Sequence, residues 1–386
     1  MSERVDYVVA GLGALGSATA MELAGRGHRV VGLERFELGH DHGASHDTSR
    51  ILRHSYHTPA YVRLTQEAYA DWARLERDSG EDLVTVVGGL DLFPADPAIP
   101  VIDYSTSMDE VGIDYEVLDA KAVMERWPQF RLPDGTTGLY QERGAIVPAG
   151  RGTRTMQQLA ARRGADLRPH TPVTAVRDLG DGVEVTTEAG TLECGGLVVC
   201  ADAWTNEVLR GLDVEIPLEV TLEQVTYFSP PDVAPFQPGR LPLWIWMDDP
   251  SFYGFPSYGE ATVKAAQDCG GPAVDPNRRT IQPDPAMESL LTEHVQRILP
   301  GAGDPVRSLR CQYTLTPDRD FVVAPLPEHP SVVVGLGAGH GFKFSPTFGR
   351  LLADLAETGS TASDVSAFGL ERPGIADRDY QAHWLV

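Results

Sequence analysis

The sequence has few cysteines and few basic residues. Its 386 residues include four cysteines and no Cys-x-x-Cys pair, which is too few for a disulfide framework in a chain of this length. Lys and Arg number 32 against 55 Asp and Glu, and the resulting formal charge of −23 repels phosphate backbones and anionic membrane surfaces. We therefore expect no nucleic-acid partner, and a reducing cytoplasm is the simplest location.

Long hydrophobic runs are missing as well. The sequence has no stretch of 18 apolar residues, and its beginning has no cationic segment followed by a long apolar one. We therefore expect neither a membrane span nor a secretory signal. The 42% hydrophobic and 23% charged residues are typical of a globular protein, and the length allows two or three domains.

The first 34 residues predict a β-α-β unit with glycines in its first turn. An apolar run precedes Gly11, Gly13 and Gly16, a helical stretch follows them, and a second apolar run ends at Glu34. Such a turn lets backbone N–H groups approach a pyrophosphate, while the carboxylate accepts ribose hydroxyls and repels a 2′-phosphate. The residues disfavour NADP and leave NAD, FAD and a turn without a ligand open.

Apolar periodicity and turn residues predict the remaining elements. Helices are predicted over 60–78, 120–127, 152–163, 285–299 and 344–355. Strands are predicted over 171–176, 182–186, 196–200 and 331–335, and β-rich blocks over 83–139 and 216–275. The block from 83 to 139 is expected to contain a single helical piece, at 120–127.

Five segments in order resemble the flavoprotein amine oxidases grouped with monomeric sarcosine oxidase and N-methyltryptophan oxidase, within the D-amino-acid-oxidase-like class. They are Gly11 to Gly16 with Glu34, SHDTSRILRH at 45–54, YGFPS at 253–257 with Lys264, CQYTLTPD at 311–318, and GHGFKF at 339–344. Together they extend over almost the whole chain.

This resemblance implies a fold of mixed α/β and α+β class with two discontinuous domains. A Rossmann-like FAD-binding domain would comprise residues 1–82, 145–215 and 305–386. A second, mostly antiparallel β-sheet domain for the substrate would comprise 83–144 and 216–304. The active site would lie between the two.

The resemblance also implies an FAD-dependent oxidase that converts a secondary or N-methyl amino acid to an imine and reduces O2 to hydrogen peroxide. One alternative is an oxidase of cyclic imino acids such as proline or pipecolate, which peroxide release with each substrate type would distinguish. Another is a flavin-binding protein without catalysis, which would be yellow but inert to every amine.

By the same resemblance, five residues carry the main polar chemistry. Arg53 and Lys343 would hold the substrate carboxylate, since Arg binds it with two hydrogen bonds and Lys adds a point charge. Lys264 would be the group that reacts with oxygen. Arg50 and His46 would lie beside the flavin and stabilise its negative reduced ring.

Further residues are implied around the substrate and the flavin. Tyr253 and Tyr313 would line the substrate cavity, and Cys311, in a turn, would form a thioether to the flavin ring. Asp268 stands where relatives have histidine, so it would act on substrate choice. Relatives also have glycine where this chain has Asp202. We expect these departures to change the substrate and to leave the flavin site intact.

The remaining cofactor contacts that the resemblance implies follow the chain from the first turn to the last. They are Gly11, Gly13, Gly16, Glu34, Arg35, Ser45, Val173, Gly339, Gly341 and Lys343. No metal is expected, because the histidines between 40 and 57 have the spacing of no common ligand set.

Overall fold

The computed structural model describes residues 3–383. The first two residues and the last three of the predicted cofactor domain therefore lie outside the described part. The helices are α1 (Ala14–Gly25), α2 (Pro59–Ser79), α3 (Val101–Val111), α4 (Ala120–Arg126), α5 (Ala149–Arg162), α6 (Thr205–Leu209), α7 (Pro285–Ile298), α8 (Ser345–Thr358) and α9 (Pro373–Ala376).

The strands group into two large sheets and one small one. They are β1 (Glu3–Ala10), β2 (Val30–Leu33), β3 (Arg50–Leu52), β4 (Thr85–Val86), β5 (Gly89–Phe93), β6 (Glu116–Asp119), β7 (Thr137–Gln141), β8 (Ala145–Val147), β9 (Asp166–Arg168), β10 (Val173–Asp178), β11 (Val183–Thr187), β12 (Gly190–Val199), β13 (Glu219–Ser229), β14 (Leu243–Trp246), β15 (Phe252–Phe255), β16 (Val263–Gln267), β17 (Asp304–Leu315), β18 (Val322–Pro325) and β19 (Val332–Leu336).

The first sheet has a parallel centre. β1 lies between β2 and β12, and β9 and β19 continue the parallel pairing on either side. Parallel strands buried on both faces need nearly continuous apolar sequences, as the fully buried β2 and β19 have. α1 packs against α5 and α8, and a Cβ on Gly349 would lie 2.5 Å from that of Ala18, so the glycine allows this close packing.

The second sheet has the order β17-β13-β16-β15-β14-β5-β7-β6 and is antiparallel except for the β14–β5 pair. Its apolar core, shared with α4 and α7, includes Trp127, Phe130, Trp244, Phe252 and Leu291. This pairing puts residues that are distant in sequence side by side: Lys264 on β16 is opposite Tyr227 on β13, and Cys311 on β17 is opposite Glu223.

The observed architecture confirms the predicted fold class of a Rossmann-like unit with a mostly antiparallel second sheet. The five predicted helices appear as α2, α4, α5, α7 and α8. Two expectations were wrong. A second helix, α3, lies within 83–139. Cys311 lies in a strand rather than a turn, because residues 304–315 pair with β13 along their whole length.

Within residues 3–383, the helices are too short or too polar to span a lipid bilayer.

Candidate active site

A cavity of about 660 Å³ runs from the glycine turn after β1 into the space between the two large sheets. Its wall includes Gly11 and Glu34 from the first sheet, Tyr253 and Tyr313 from the second, and Lys343 from the segment before α8. One continuous cavity therefore contains both the predicted dinucleotide site and the predicted substrate site.

The glycine turn has the geometry that close approach of a phosphate group needs. Gly11 has a φ of +91°, and a Cβ there would lie 2.4 Å from the carbonyl oxygen of Cys200. A Cβ on Gly16 would lie 1.8 Å from the Gly11 carbonyl oxygen, so any larger residue would disrupt the turn. Ser45 Oγ accepts a hydrogen bond of 2.9 Å from Ala14 N and fixes the start of α1, whose N-terminal N–H groups face the cavity region.

Glu34 is buried at the end of β2 and remains ionised. It accepts hydrogen bonds from Leu12 N at 2.8 Å and Phe36 N at 3.0 Å, and His40 Nε2 lies 3.3 Å from its carboxylate. Burial alone would raise the pKa of this carboxyl group, but His40 and the two backbone donors outweigh it and lower the pKa. A fixed anion at this position fits ribose hydroxyls and repels a 2′-phosphate.

Two further predicted cofactor residues lie on the wall near Glu34. Arg35 lines the cavity, stacks over the Trp204 ring at 5.6 Å and lies 3.2 Å from Glu207, and Val173 lines the cavity at the start of β10. The neighbouring Asp202 occupies left-handed backbone at φ +48°, and Gln312 Nε2 donates to its carboxylate at 3.2 Å. Aspartate is one of the few residues other than glycine that adopt left-handed backbone readily, so Asp202 can occupy this position.

The loop before β3 is closed around Arg50. Its guanidinium donates to the carbonyl oxygens of Ala44, His46 and Ser49 at 2.9–3.0 Å. Burial lowers the pKa of His46 to about 4, and its Nε2 is buried with no hydrogen-bond partner among the described residues. This neutral imidazole lines the cavity, so it is available to hydrogen bond with a bound molecule.

Lys264 is buried in an ion pair that the sequence analysis did not foresee. Its Nζ lies 2.9 Å from Asp47 Oδ2 and donates to the Ser49 carbonyl oxygen at 2.9 Å. Tyr227, its neighbour across the sheet, donates its hydroxyl to the other oxygen of Asp47. Burial lowers the pKa of Lys264 to about 8, and the Asp47 carboxylate opposes this effect. Lys264 itself lies behind the wall, in contact with the lining residues Asp47 and Phe255.

Cys311 is buried on β17, and residues two apart on a strand face the same side, so it shares a face with the lining Tyr313. Burial raises the pKa of its thiol, and the positive charge of Arg50 acts in the opposite direction. Cys311 is itself not part of the wall, and the same holds for Gly16.

Arg53 and Lys343 both line the cavity. Arg53 is buried, with its guanidinium 3.3 Å from Asp91 and 4.7 Å from the centre of the Tyr56 ring. Lys343 Nζ donates to the His340 carbonyl oxygen at 2.8 Å. Burial and the nearby charges of Arg53 and Arg319 lower the pKa of Lys343 well below its usual value. An anion bound beside these cations would relieve the repulsion.

The rest of this part of the wall is polar and aromatic. The hydroxyls of Tyr253 and Tyr313 are 3.4 Å apart, and burial raises the pKa of both, so both stay protonated. Asp268 forms two contacts with the buried Arg319, at 2.8 and 2.9 Å. Gly339 has a φ of +79°, and a Cβ there would lie 2.8 Å from the Tyr313 ring, so the turn that holds Gly339 and Gly341 can pass close to this tyrosine.

The structure thus brings nearly all the predicted site residues to one cavity. Lys264, Cys311 and Gly16 lie just behind its wall. The sequence analysis missed Asp47, Asp91, Tyr227 and Arg319. Asp47 lies inside the quoted segment 45–54 and Arg319 directly follows the segment 311–318, but no local pattern indicates that either is an ion-pair partner.

The fold and cavity together define a flavoprotein class of dinucleotide-binding oxidoreductase. The glycine turn, the buried Glu34 and the unpartnered His46 Nε2 fit FAD, and the cavity continues to the cationic part of the wall that an anionic substrate would need. Residues 6–355 match the family described as FAD dependent oxidoreductase, and the chain belongs to that family.

Curated relatives narrow the class. The chain is 37% identical to the monomeric sarcosine oxidase of Streptomyces avermitilis, over 97% of this chain and 100% of that protein. It is 30% identical to N-methyl-L-tryptophan oxidase of Escherichia coli K12, over 96% of this chain and 99% of that protein. These relatives confirm the prediction of an FAD-dependent oxidoreductase of the class that acts on CH–NH bonds.

A solved structure agrees with this class. NikD, described as an unusual amino acid oxidase essential for nikkomycin biosynthesis, superimposes in its open form with a TM-score of 0.85 at 31% identity. The match covers 95% of this chain and 98% of NikD.

Proposed function

We propose that this protein oxidises a secondary or N-methyl amino acid to an imine and reduces O2 to hydrogen peroxide. The observation that carries the proposal is the pair of buried cations, Arg53 and Lys343, on the wall of the cavity that also contains the dinucleotide turn. The two curated relatives are named for N-methyl amino acids, which supports the same substrate class.

The charges near Lys343 favour a monoanionic substrate. Arg53 is paired with Asp91 and Arg319 with Asp268, so Lys343 is the cation without a carboxylate partner among these described groups, and a bound carboxylate would favour its ammonium form against the lowered pKa. One substrate carboxylate would neutralise it. Arg53 and Lys343 would hold that carboxylate, and the protonated hydroxyls of Tyr253 and Tyr313 would donate hydrogen bonds nearby.

The other residues would serve the cofactor and oxygen. Bound FAD supplies the acceptor for the hydride equivalent that leaves the carbon beside the amine nitrogen. Gly11, Ser45 and Glu34 would hold its dinucleotide part, and His46 and Arg50 would hydrogen bond near the ring. The Lys264 ammonium would stabilise the negative charge that O2 acquires on reduction.

We further propose a thioether from Cys311 to the flavin ring and the two discontinuous domains predicted from the sequence. Grouping by sheet would move residues 304–315 to the substrate domain, since β17 pairs with β13. The four cysteines are unpaired in the structure, which supports a reducing, cytoplasmic location.

The function is tested with purified yellow protein and a panel of amines. We expect N-methyl or cyclic amino acids to bleach the flavin without air and to release peroxide in air. The ratio of the two substrate types decides between the N-methyl and the cyclic imino acid oxidase. A protein that stays yellow with every amine would contradict both.

The carboxylate anchor gives the first prediction. Lys343→Ala should lower kcat/KM for carboxylate substrates by roughly tenfold to a hundredfold, because a lost charge-assisted hydrogen bond costs about 1.5–3 kcal/mol. Arg53→Ala should do the same and also lower Tm, since it leaves Asp91 buried without its partner.

The matched control for the anchor is Lys121→Ala, a surface lysine with a side chain 82% exposed. It should leave both kcat/KM and Tm unchanged. Decarboxylated amine substrates should be poor with the unmodified protein. If they turn over as fast as their parent acids, the anchor is wrong.

The ion pair of Lys264 gives a prediction of pH dependence. Because the ammonium form is the one that stabilises an anion and its pKa is about 8, flavin reoxidation should slow as pH rises through about 8. Asp47→Asn removes the carboxylate that raises this pKa, so the decline should move to lower pH by about one unit or more. Stopped-flow reoxidation across pH 6–10, at roughly half-unit steps, measures this shift. If reoxidation declines at the same pH in both proteins, Asp47 does not control the charge state of Lys264 and the prediction is wrong.

A further inference from the structure

The ion pair between Asp268 and Arg319 closes one part of the substrate cavity. Arg319 Nη1 lies 2.8 Å from Asp268 Oδ2, and Nη2 donates to Oδ1 at 2.9 Å, which is the two-pronged geometry that a guanidinium adopts with a carboxylate. Arg319 has a side chain only 3% exposed, whereas that of Asp268 is 19% exposed. Both residues line the cavity together with Arg53 and Lys343.

The two residues are held by separate loops. Asp268 follows β16, and its N–H donates to the Ser251 carbonyl oxygen at 2.9 Å. Arg319 lies in the turn after β17, with a φ of +60°, and its N–H donates to the Thr316 carbonyl oxygen at 3.0 Å. Backbone hydrogen bonds on both sides therefore fix the pair, and a guanidinium buried this deeply needs a carboxylate partner.

The charge balance shows what Asp268 contributes. With it, the cations Arg53, Arg319 and Lys343 face the carboxylates Asp91 and Asp268, and one positive charge remains. Without its charge, two positive charges would remain. That arrangement would match a substrate with two carboxylates, one on Arg53 and Lys343 and one on Arg319.

We propose that Asp268 occupies a second carboxylate site from within the chain and thereby excludes dicarboxylic substrates. Arg319 supplies the positive charge of that site. Asp268 accepts hydrogen bonds from the two guanidinium N–H groups of Arg319 that a carboxylate on the substrate side chain would otherwise bind. A second substrate carboxylate would also face the Asp268 anion directly. The enzyme therefore selects against amino acids with acidic side chains, an inference that rests on the proposed function.

The test is ligand binding to the oxidised holoenzyme, without turnover. Butyrate and succinate have the same chain length and differ in one carboxylate, and each is titrated against the flavin absorption spectrum. We expect the unmodified protein to bind butyrate more tightly than succinate. Asp268→Asn keeps the side-chain shape and should shift the ratio of the two Kd values toward succinate by about tenfold or more, the value of one charge-assisted hydrogen bond.

A double variant separates attraction by Arg319 from relief of repulsion. Asp268→Asn with Arg319→Gln removes one charge of each sign and leaves the net charge of these residues unchanged, so the ratio should stay close to that of the unmodified protein. If Asp268→Asn does not fold, Asp268→Ser exposes the same guanidinium. If neither folds, the unmodified protein decides, because succinate that binds as tightly as butyrate contradicts the exclusion of dicarboxylic substrates.

A ratio that stays unchanged in the single variant, or that shifts no further than in the double variant, overturns the proposal. The unmodified enzyme should turn over N-methyl-L-alanine faster than N-methyl-L-aspartate, and Asp268→Asn should shift this ratio toward N-methyl-L-aspartate. An enzyme that oxidises amines while the binding ratio stays constant contradicts the specificity inference alone. A protein inert to every amine contradicts the proposed function. The titration needs no turnover, so it still tests whether the Asp268–Arg319 pair excludes a second carboxylate.

Discussion

Replacing Lys264 by Met should slow the reoxidation of the flavin by air by several hundredfold, equivalent to about 4 kcal/mol of lost stabilisation. The first electron given to O2 makes an anion, and a buried ammonium stabilises an anion far more strongly than one in water. Lys264 is such a group, with a side chain 4% exposed and Nζ hydrogen bonds to Asp47 and to the Ser49 carbonyl oxygen. Met keeps the length of the chain and removes the charge.

The two half-reactions are measured separately by stopped flow. Reduction by substrate should stay within about tenfold, because Lys264 lies behind the wall rather than among the groups proposed to bind the substrate carboxylate. Asp47 keeps its hydrogen bond from Tyr227, which limits the structural damage. Lys121→Met is the control for loss of a surface lysine. Unchanged reoxidation would make Lys264 a purely structural residue.

The dinucleotide half of the site could be predicted because its signals are local. Gly11, Gly16 and Glu34 lie within one β-α-β unit, and their roles follow from the turn geometry and the end of a strand. The apolar runs of β2 and β19 likewise predict buried strands. Within the β-α-β unit, neighbours in sequence are also neighbours in space, because β1 pairs with β2.

The charged half of the site depends on pairings across the fold. Asp47 and Lys264 are 217 residues apart and Arg319 is 51 residues from Asp268, so neither pair leaves a spacing that sequence can show. The register of β13 against β16 places Lys264 beside Tyr227, whereas Asp47, Asp268 and Arg319 lie in loops outside these strands. The resemblance identified Lys264 and Asp268 individually, while their partners came only from the structure.

Helix α3 was missed for a different reason. Of its four buried side chains, Tyr104 and Met108 are apolar, whereas Ser105 and Ser107 are polar. Tyr104 and Met108 are a single apolar pair and Ile102 is exposed, so the apolar pattern of a helix is weak in this segment. Packing of that pair in the core stabilises the helix, and the sequence pattern does not show this packing.

Cys311→Ser should release all the flavin into the supernatant after acid precipitation, whereas the unmodified protein should keep it in the pellet. Acid unfolds the protein and breaks every noncovalent contact, so retention requires a covalent bond. Cys311 is buried and faces the same side of β17 as the cavity residue Tyr313. Burial raises the pKa of its thiol, and the positive charge of Arg50 opposes that rise.

The other cysteines supply the controls for this prediction. Cys200 also lines the cavity, beside Gly11, and burial raises the pKa of its thiol to about 12. Cys194→Ser, Cys200→Ser and Cys269→Ser should therefore all keep the flavin in the pellet. A tryptic flavopeptide containing residue 311 would identify the bond directly. Flavin wholly in the supernatant of the unmodified protein, or release by Cys200→Ser instead, would refute Cys311 as the attachment site.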